Sequence, residues 1–457
     1  MRALAMMAFF LALSPVALSE APEDAAGKGW VAGSALSGDL MYFQRHRERY
    51  RIDEGRYATN LHHRSVQARL DFDAAFVADV FGFNLGVFGA ADLENGGSPD
   101  HEINFFPWRD PWSADWRRRN AQNGVSLYRA HVKLRHDIGN SKWWGKFGYF
   151  QPSGPGTLGV NWALMPGTWR GAEGGGEISR DWGKLVFAAA WANGYKAPWY
   201  RDIYHFRAGN GKDRVRNVVS FGLRYEAGAA SAEAAWGEAR DYLRNAHLKF
   251  KWRREFNQDA FASLSYQFYA ASDRVRGHDA GYYAGGRAWQ HYFAWNAGFA
   301  PYTVKAEFIH TRAPSRAAGH LGYFVYRLSG AYGGANGAYD LWWDNRSDWN
   351  HNRESAFFLS LGRSLDDILP LHGFTLTASA VRGQGGRVYG VRETLRESAW
   401  SLDLAYLASS GALKGSRISL HYTRYDNRTH QPSWEGFKNL FQDERDFKFL
   451  LMLPLRL

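Results

Sequence analysis

Polar and apolar side chains alternate with a period of two along many segments of this chain. In residues 66–76 (VQARLDFDAAF) every even-numbered position is apolar, and most odd-numbered positions are charged or amide side chains. The same period recurs in 126–135 (SLYRAHVKLR), 246–254 (AHLKFKWRR) and 417–423 (RISLHYT). Successive side chains of a β-strand point to opposite faces of the sheet. The pattern therefore predicts strands with one apolar and one polar face.

The connections between these segments alternate between short and long. The short ones are 139–141, 257–259, 300–301 and 409–416, and the long polar ones are 93–125, 151–171, 195–216, 312–321, 383–397 and 426–444. A soluble sandwich would also alternate, but short turns at one end and long loops at the other are typical of outer-membrane barrels. A closed barrel also leaves no unpaired sheet edge in lipid. We therefore predict an all-β fold, a single transmembrane antiparallel β-barrel with periplasmic turns and extracellular loops.

Composition agrees with this fold class. Mean hydropathy is −0.46 and 22% of residues are charged, which excludes a bundle of transmembrane helices. The chain nevertheless carries 20 Trp, 24 Tyr and 30 Phe, together with 49 Gly and no Cys. No disulfide framework can hold it. Lipid-facing and lumen-facing residues alternate in a barrel, so a polar average is expected there.

The N-terminal residues have the features of a targeting segment. Met1–Ser19 has one positive charge at Arg2, an apolar stretch and a small-x-small end, which predicts a cleaved secretory signal peptide. Residues 20–457 are then one outer-membrane barrel domain of a Gram-negative bacterium. The net charge of +11 does not require nucleic acid as a partner, because lumen cations and contacts with outer-membrane lipid and lipopolysaccharide explain it more simply.

The C-terminus predicts how the barrel closes. In 445–457 (RDFKFLLMLPLRL) every second residue from Phe447 to Leu457 is apolar. Such a strand would pair with the first one, and it is similar to the signal read by outer-membrane assembly machinery. The alternating segments number about twenty, which is within the range of strand numbers for such barrels.

One long loop is a candidate for folding into the lumen. Residues 151–171 (QPSGPGTLGVNWALMPGTWRG) combine prolines and glycines with Trp162 and Trp169. An apolar loop exposed to water is unfavourable, so we expect it to pack inside the barrel as a constriction loop. The two tryptophans either line the constriction or only anchor the loop.

The stretch LWWDNRSDWN at 341–350 places tryptophans beside ions. Alternation through Tyr339–Arg346 sends Leu341 and Trp343 toward lipid. The side chains predicted to face the lumen are Asp340, Trp342, Asp344 and Arg346. A pyranose can stack its C–H face on an indole while charged groups take its hydroxyls. The alternative is an interfacial aromatic girdle, which we favour for Trp343, whereas the lumen is favoured for Trp342.

Other segments repeat the pairing of aromatic and polar residues. Trp112 lies in FFPWRDPWSADWRRR (105–119), and Tyr195 and Trp199 lie in YKAPWYRDIYHF (195–206). Several weak sites suit passage, because one tight site would trap the solute. These residues are therefore further candidates for contacting it.

A basic row runs along one predicted strand. It comprises Arg129, His131, Lys133 and Arg135. The row is either a cation ladder that guides anions or a set of wall charges paired with loop acids that shape the field at the constriction. Late strands show hydroxyls and an imidazole on their lumen faces: Thr375, Thr377, Ser379, Ser419, His421 and Thr423. Those side chains favour neutral, hydroxyl-rich solutes.

Several motifs together resemble the chitoporins of Gram-negative bacteria, the sugar branch of the OprD-type porins. The motifs are QRHRERYR at 44–51, SLYRAHVKLR…GYFQPSG…WALMPGTWRGAE at 126–173, WANGYKAPW at 191–199, LWWDNRSDWN at 341–350 and YDNRTHQPSWEGFKNLFQDERDFKF at 425–449. The resemblance covers essentially the whole mature chain. It implies about eighteen strands and facilitated diffusion of chitooligosaccharides. One departure is Leu457, where such barrels commonly end in Phe.

A porin for another solute class and a hydrolase are the alternatives to a sugar channel. The basic row would also suit a porin for basic amino acids or small carboxylates. A hydrolase is disfavoured, because Ser419, His421 and Asn427 face the lumen and lack the spacing of a catalytic set. No cofactor is expected. Four acids, Asp92, Glu94, Asp100 and Glu102, could hold Ca²⁺, but a solvated acidic loop is the simpler interpretation, so no metal site is predicted.

Overall fold

The computed structural model shows 18 antiparallel strands in one closed sheet. It describes residues 32–51, 54–97, 123–160, 164–198, 200–208, 213–274, 283, 286–315, 321–328, 337–368, 372–387, 392–429 and 442–456. The strands are β1 (Ala35–Arg51), β2 (Arg56–Asp73), β3 (Phe81–Gly97), β4 (Gly124–Ile138), β5 (Ser141–Phe150), β6 (Thr168–Arg180), β7 (Gly183–Lys196), β8 (Val218–Ala227), β9 (Ala230–Ala239), β10 (Leu243–Glu255), β11 (Ala260–Asp273), β12 (Arg287–Phe299), β13 (Tyr302–Arg312), β14 (Ser355–Ser364), β15 (Phe374–Gln384), β16 (Arg396–Leu407), β17 (Arg417–Asn427) and β18 (Glu444–Arg456).

The barrel closes between its first and last strands. β1 pairs with β2 on one side and with β18 on the other, where Leu40 lies opposite Leu453. The prediction that the C-terminal strand closes the barrel is confirmed. The direct count of about twenty strands was slightly wrong, and the number implied by the family resemblance is correct. Residues 339–346, whose alternation predicted a strand, form none.

Alternation divides the side chains between lipid and lumen as predicted. On β2, Leu70 is exposed whereas Gln67 is buried; on β10, Leu248 and Phe250 are exposed whereas Lys249 is buried. Exposed apolar side chains on the outer face meet lipid, and buried polar side chains are covered by chain that folds into the lumen. Strand lengths from 10 to 18 residues suffice to cross a bilayer at a tilt.

Short and long connections alternate around the barrel. Connections that follow even-numbered strands are short, such as 139–140, 181–182 and 228–229. Most connections that follow odd-numbered strands are long, the longest being the one between β13 and β14, residues 313–354. In the described part of the chain, no helix has the length and hydropathy needed to cross a membrane.

Candidate functional site in the barrel lumen

Of the constriction loop, residues 151–160 and 164–167 fold inward against the lumen wall, as the sequence predicted. The backbone N–H of Thr157 donates to the Ser220 hydroxyl on β8 at 2.7 Å. The Glu173 carboxylate on β6 accepts the backbone N–H groups of Ser153 and Gly154, each at 3.0 Å. At Gly222 a Cβ atom would lie 2.3 Å from the carbonyl carbon of Pro155. Glycine is needed there because the loop backbone touches the wall.

Trp169 and Tyr195 anchor this loop and do not line the passage. Both side chains are fully buried, with ring centroids 4.7 Å apart. The Trp169 Nε1–H donates to the Gly159 carbonyl at 2.7 Å, which ties the loop to the start of β6. The expectation that these two side chains contact solute is therefore wrong for this structure. For Trp169 the structure favours the anchoring alternative, because its ring packs against Phe206.

A second stretch, residues 339–354 (hereafter the lumen segment), also crosses the interior. Near its start, Asp340 accepts hydrogen bonds from Lys249 at 2.8 Å and Lys251 at 2.7 Å, both on the lumen face of β10. Four residues later, Asp344 pairs with Lys448 on β18. Since β10 and β18 lie apart in the barrel, the segment spans the lumen between them.

The apolar residues of this stretch face the barrel wall from inside. Leu341 and Trp343 are buried, not turned to lipid. The Trp343 Nε1–H donates to Glu307 on β13, and its ring stacks on Phe358 of β14 with centroids 5.2 Å apart and planes 13° apart. Both the lipid-facing prediction and the aromatic-girdle interpretation of Trp343 are wrong. The segment is irregular and lies inside the barrel. Its side chains therefore alternate between facing the barrel wall and facing the water-filled lumen.

Trp342 presents its indole to the open lumen. It is 54% exposed, while its neighbours Leu341 and Trp343 are 5% and 4% exposed. The carboxylates of Asp340 and Asp344 flank it along the chain.

The two inward stretches meet and brace each other. Leu158 forms an isolated β-bridge with Gly337, and the backbone N–H of Ala338 donates to the Thr157 carbonyl at 2.9 Å. The Lys249 ammonium reaches the Ala338 carbonyl at 2.9 Å as well as Asp340. The constriction is therefore built from two connections, although the sequence indicated only the first.

Cations hold the segment's carboxylates ionised. Burial opposes the charge of Asp340, but Lys249 and Lys251 outweigh it and hold its pKa below the usual value. Burial likewise opposes the charge of Asp344, but the charges of His421 and Lys448 lower its pKa to about 2. Both carboxylates remain acceptors at neutral pH.

The predicted lumen residue Arg346 is bound to the wall. Its guanidinium pairs with Glu444 on β18, and the Arg346 side chain is 8% exposed. Its main role here is to fix the segment, and its candidate role in solute binding remains a prediction. The wall lysines were not among the sequence-predicted site residues, although the alternation in 246–254 places Lys249 and Lys251 on the lumen face.

The basic row of β4 is paired with acids. Arg129 lies 3.5 Å from Asp71, and Lys133 pairs with Asp73. His131 is buried and its Nδ1 lies 3.1 Å from the Tyr149 carbonyl. Arg135, at the short-turn end, pairs with Asp79 at 2.9 Å. Most of these acids belong to β2. Asp71 and Asp73 are wall residues and not the loop acids of the second alternative, so the effect of the row on the field at the constriction stays a prediction.

A chain of hydroxyls and one imidazole holds the segment's centre. The Thr423 hydroxyl lies 2.6 Å from the Nε2 atom of His421. The other ring nitrogen of His421, Nδ1, lies 2.6 Å from the Asp403 carboxylate. The same hydroxyl contacts Ser401 and the Asp344 carbonyl. Thr423 and His421 are 1% and 6% exposed, so their contact is closed to solute and holds the segment in place.

Some predicted residues cannot be placed. Trp112, Trp162 and Trp199 lie outside the described residues. Of the acidic loop, Asp92 and Glu94 belong to β3 and contact histidine or arginine side chains of β2. The other two acids, Asp100 and Glu102, lie outside the described residues.

Comparisons with known proteins agree with this geometry. No protein-family model matches the sequence. The chitoporin of Escherichia coli K12 is 34% identical over 450 residues, which cover 94% of this chain and 93% of that protein. Among solved structures, OccK9 (OpdG) of Pseudomonas aeruginosa superposes with a TM-score of 0.70 at 16% identity, covering 94% of this chain and all of that one. OccAB3 of Acinetobacter baumannii superposes at 0.69 and 12% identity, covering 92% of this chain and 99% of that one. These structures share the fold.

Proposed function

Because the chain belongs to the chitoporin family and is an outer-membrane porin of a Gram-negative bacterium, we propose that chitooligosaccharides are its solute. These oligomers of N-acetylglucosamine would enter the periplasm by facilitated diffusion. The observation that carries the proposal is the half-exposed indole of Trp342 between two ionised carboxylates inside the barrel. An indole face with flanking acceptors offers a pyranose both stacking and hydrogen bonds.

The charge arrangement supports a neutral solute. Most acids and bases described above are paired, either along the wall or between the wall and the lumen segment, so much of their charge is neutralised. The part-exposed hydroxyls of Thr375, Thr377 and Ser419 on the late strands add neutral donors and acceptors. A sugar can exchange such weak contacts one after another, which lets it pass without arrest.

A planar-bilayer recording tests this proposal directly. Chitohexaose should block the open-channel current transiently, with more blockades as its concentration rises. A channel that conducts ions but shows no blockade at millimolar sugar contradicts the proposal. Liposome swelling with a graded series of chitooligosaccharides then gives the length preference.

The competing solute class is basic amino acids or small carboxylates. One feature favours it: the Lys251 and Arg253 side chains on β10 are 51% and 41% exposed. Strong ion selectivity, competition by arginine or benzoate and indifference to sugar would establish that class instead.

The proposal includes how the chain reaches its membrane. Met1–Ser19 would act as the cleaved signal peptide, and the apolar strand Phe447–Leu457 would be read by the assembly machinery. Basic outer-surface residues would contact lipopolysaccharide. Retention of the full-length precursor after mutation of Ala17 would support cleavage of Met1–Ser19 as a signal peptide. Unchanged export would contradict it.

A further inference from the structure

A cluster of potential metal ligands lies where the lumen segment returns to the wall. His351 and Glu354 are near the segment's end, and Glu397 is on β16; all three are at least 98% buried. The His351 Nδ1 atom lies 2.9 Å from Glu354 Oε2 and 3.6 Å from Glu397 Oε1. One donor atom from each residue fits within 4.8 Å of the other two. The cluster plays no part in the sugar site.

The cluster holds two carboxyl groups and one imidazole. Among the described residues, His351 is the partner in every ion pair that Glu354 and Glu397 form. Two buried carboxylates thus share one imidazole. Burying a carboxylate is costly unless charge and hydrogen bonds compensate it. A divalent cation at the point where the three side chains converge would compensate both carboxylates, and its binding would displace the protons of the cluster.

One carboxylate also has an unused oxygen. Glu354 Oε2 accepts the backbone N–H and the Nδ1 of His351 at 3.0 and 2.9 Å. Its other oxygen, Oε1, is buried and accepts no hydrogen bond from the described residues. The contrast is Glu397, whose oxygens are contacted by the hydroxyls of Ser347 at 3.1 Å and Tyr425 at 2.5 Å. Buried polar atoms normally have a partner, so the Glu354 carboxylate is short of one.

We propose that His351, Glu354 and Glu397 bind a divalent transition-metal ion, with Zn²⁺ the best fit. Ligands about 2.0 Å from a tetrahedral zinc lie about 3.3 Å from one another. The distances of 2.9 and 3.6 Å from His351 Nδ1 to the two carboxylates bracket that spacing. One imidazole with two carboxylates suits zinc better than magnesium or calcium, which prefer oxygen ligands alone. Zn²⁺ together with a neutral imidazole and two carboxylates gives a site of zero net charge.

The ion would link the lumen segment to the barrel wall. His351 and Glu354 belong to the connection between β13 and β14, whereas Glu397 belongs to β16. A metal bond between them adds a fixed point beside those made by Asp340 and Asp344. The predicted consequence is a lumen segment that opens less often when zinc is bound.

Zinc titration of the full-length channel in detergent tests the site. After treatment with EDTA and its removal, calorimetry and elemental analysis should find one zinc per chain. Glu354→Gln keeps the side-chain shape but loses a ligand, and should weaken zinc binding by about tenfold or more. The thermal unfolding midpoint should rise with zinc in the native chain but not in Glu354→Gln.

His421→Gln is the matched control. His421 is also a buried lumen imidazole between two carboxylates, at 2.6 Å from Asp403 and 3.6 Å from Asp344. Its loss loosens the lumen segment without removing a proposed ligand, so zinc should bind this variant as it binds the native chain. No zinc in the native chain, or equal affinity in Glu354→Gln, overturns the proposal. Native-chain stoichiometry decides the matter even if Glu354→Gln does not fold, and neither result depends on which solute passes.

Discussion

Replacing Trp342 with alanine should weaken sugar binding while leaving the barrel intact. A free indole side chain offers up to about 250 Å², and 54% exposure leaves roughly half of that open to the lumen. A pyranose lying on one face would cover about 60 Å² of it, which is worth about 1.5 kcal/mol at 25 cal/mol per Å². That corresponds to about a tenfold loss of affinity.

Single-channel recording with chitohexaose measures this loss. Blockades in Trp342→Ala should shorten by about tenfold, since changes in affinity fall mainly on dissociation. Open conductance should change little, because Asp340 and Asp344 still hold the segment. The control is Trp343→Ala, whose side chain is buried against Phe358; losing it should disturb the segment and alter the open current. Blockade times in Trp342→Ala equal to those of the native chain would refute the stacking argument.

Three further changes probe the supports of the site. Trp169→Ala should lower the free energy of unfolding by about 3–5 kcal/mol through loss of a fully buried ring; a urea midpoint equal to that of the native chain would contradict this. Asp340→Asn should leave Lys249 and Lys251 unneutralised and shift selectivity toward anions, seen in the reversal potential across a KCl gradient; an unchanged potential would argue against the pairing. The pKa of Asp344 is lowered to about 2, so the stability that its charge contributes is fully present above the unfolded-state pKa of about 3.9 and is lost as pH falls toward 2. Sugar blockade should persist down to pH about 4.5, and its loss between pH 7 and 5 would contradict the assignment.

The strands and their two faces were predictable because a period of two is a local property of the sequence. The period of two that predicted lipid-facing side chains for Leu248 and Phe250 also predicted a lumen-facing side chain for Lys249. In the structure the first two are exposed and Lys249 is buried. The inward fold of residues 151–160 and 164–167 was predictable from the apolar character of the loop. Closure by β18 followed from its position and alternation.

The lumen segment was harder to predict because it alternates without being a strand. Sequence parity distinguished the exposed Trp342 from its buried neighbours, but it turned Trp343 toward lipid. A side chain opposite the lumen need not face lipid when the chain itself lies inside the barrel. The acid that receives the Trp343 N–H, Glu307, is 36 residues away, and no local pattern links the two. For the same reason the burial of Trp169 could not be distinguished from constriction lining.

The most direct test of the account is an experimental structure of the full chain with chitohexaose. We expect a pyranose ring stacked on the exposed face of Trp342, with its hydroxyls within hydrogen-bond distance of Asp340 or Asp344. A sugar chain bound in the lumen but away from the lumen segment would contradict the central claim. So would a lumen segment that leaves the interior when sugar binds.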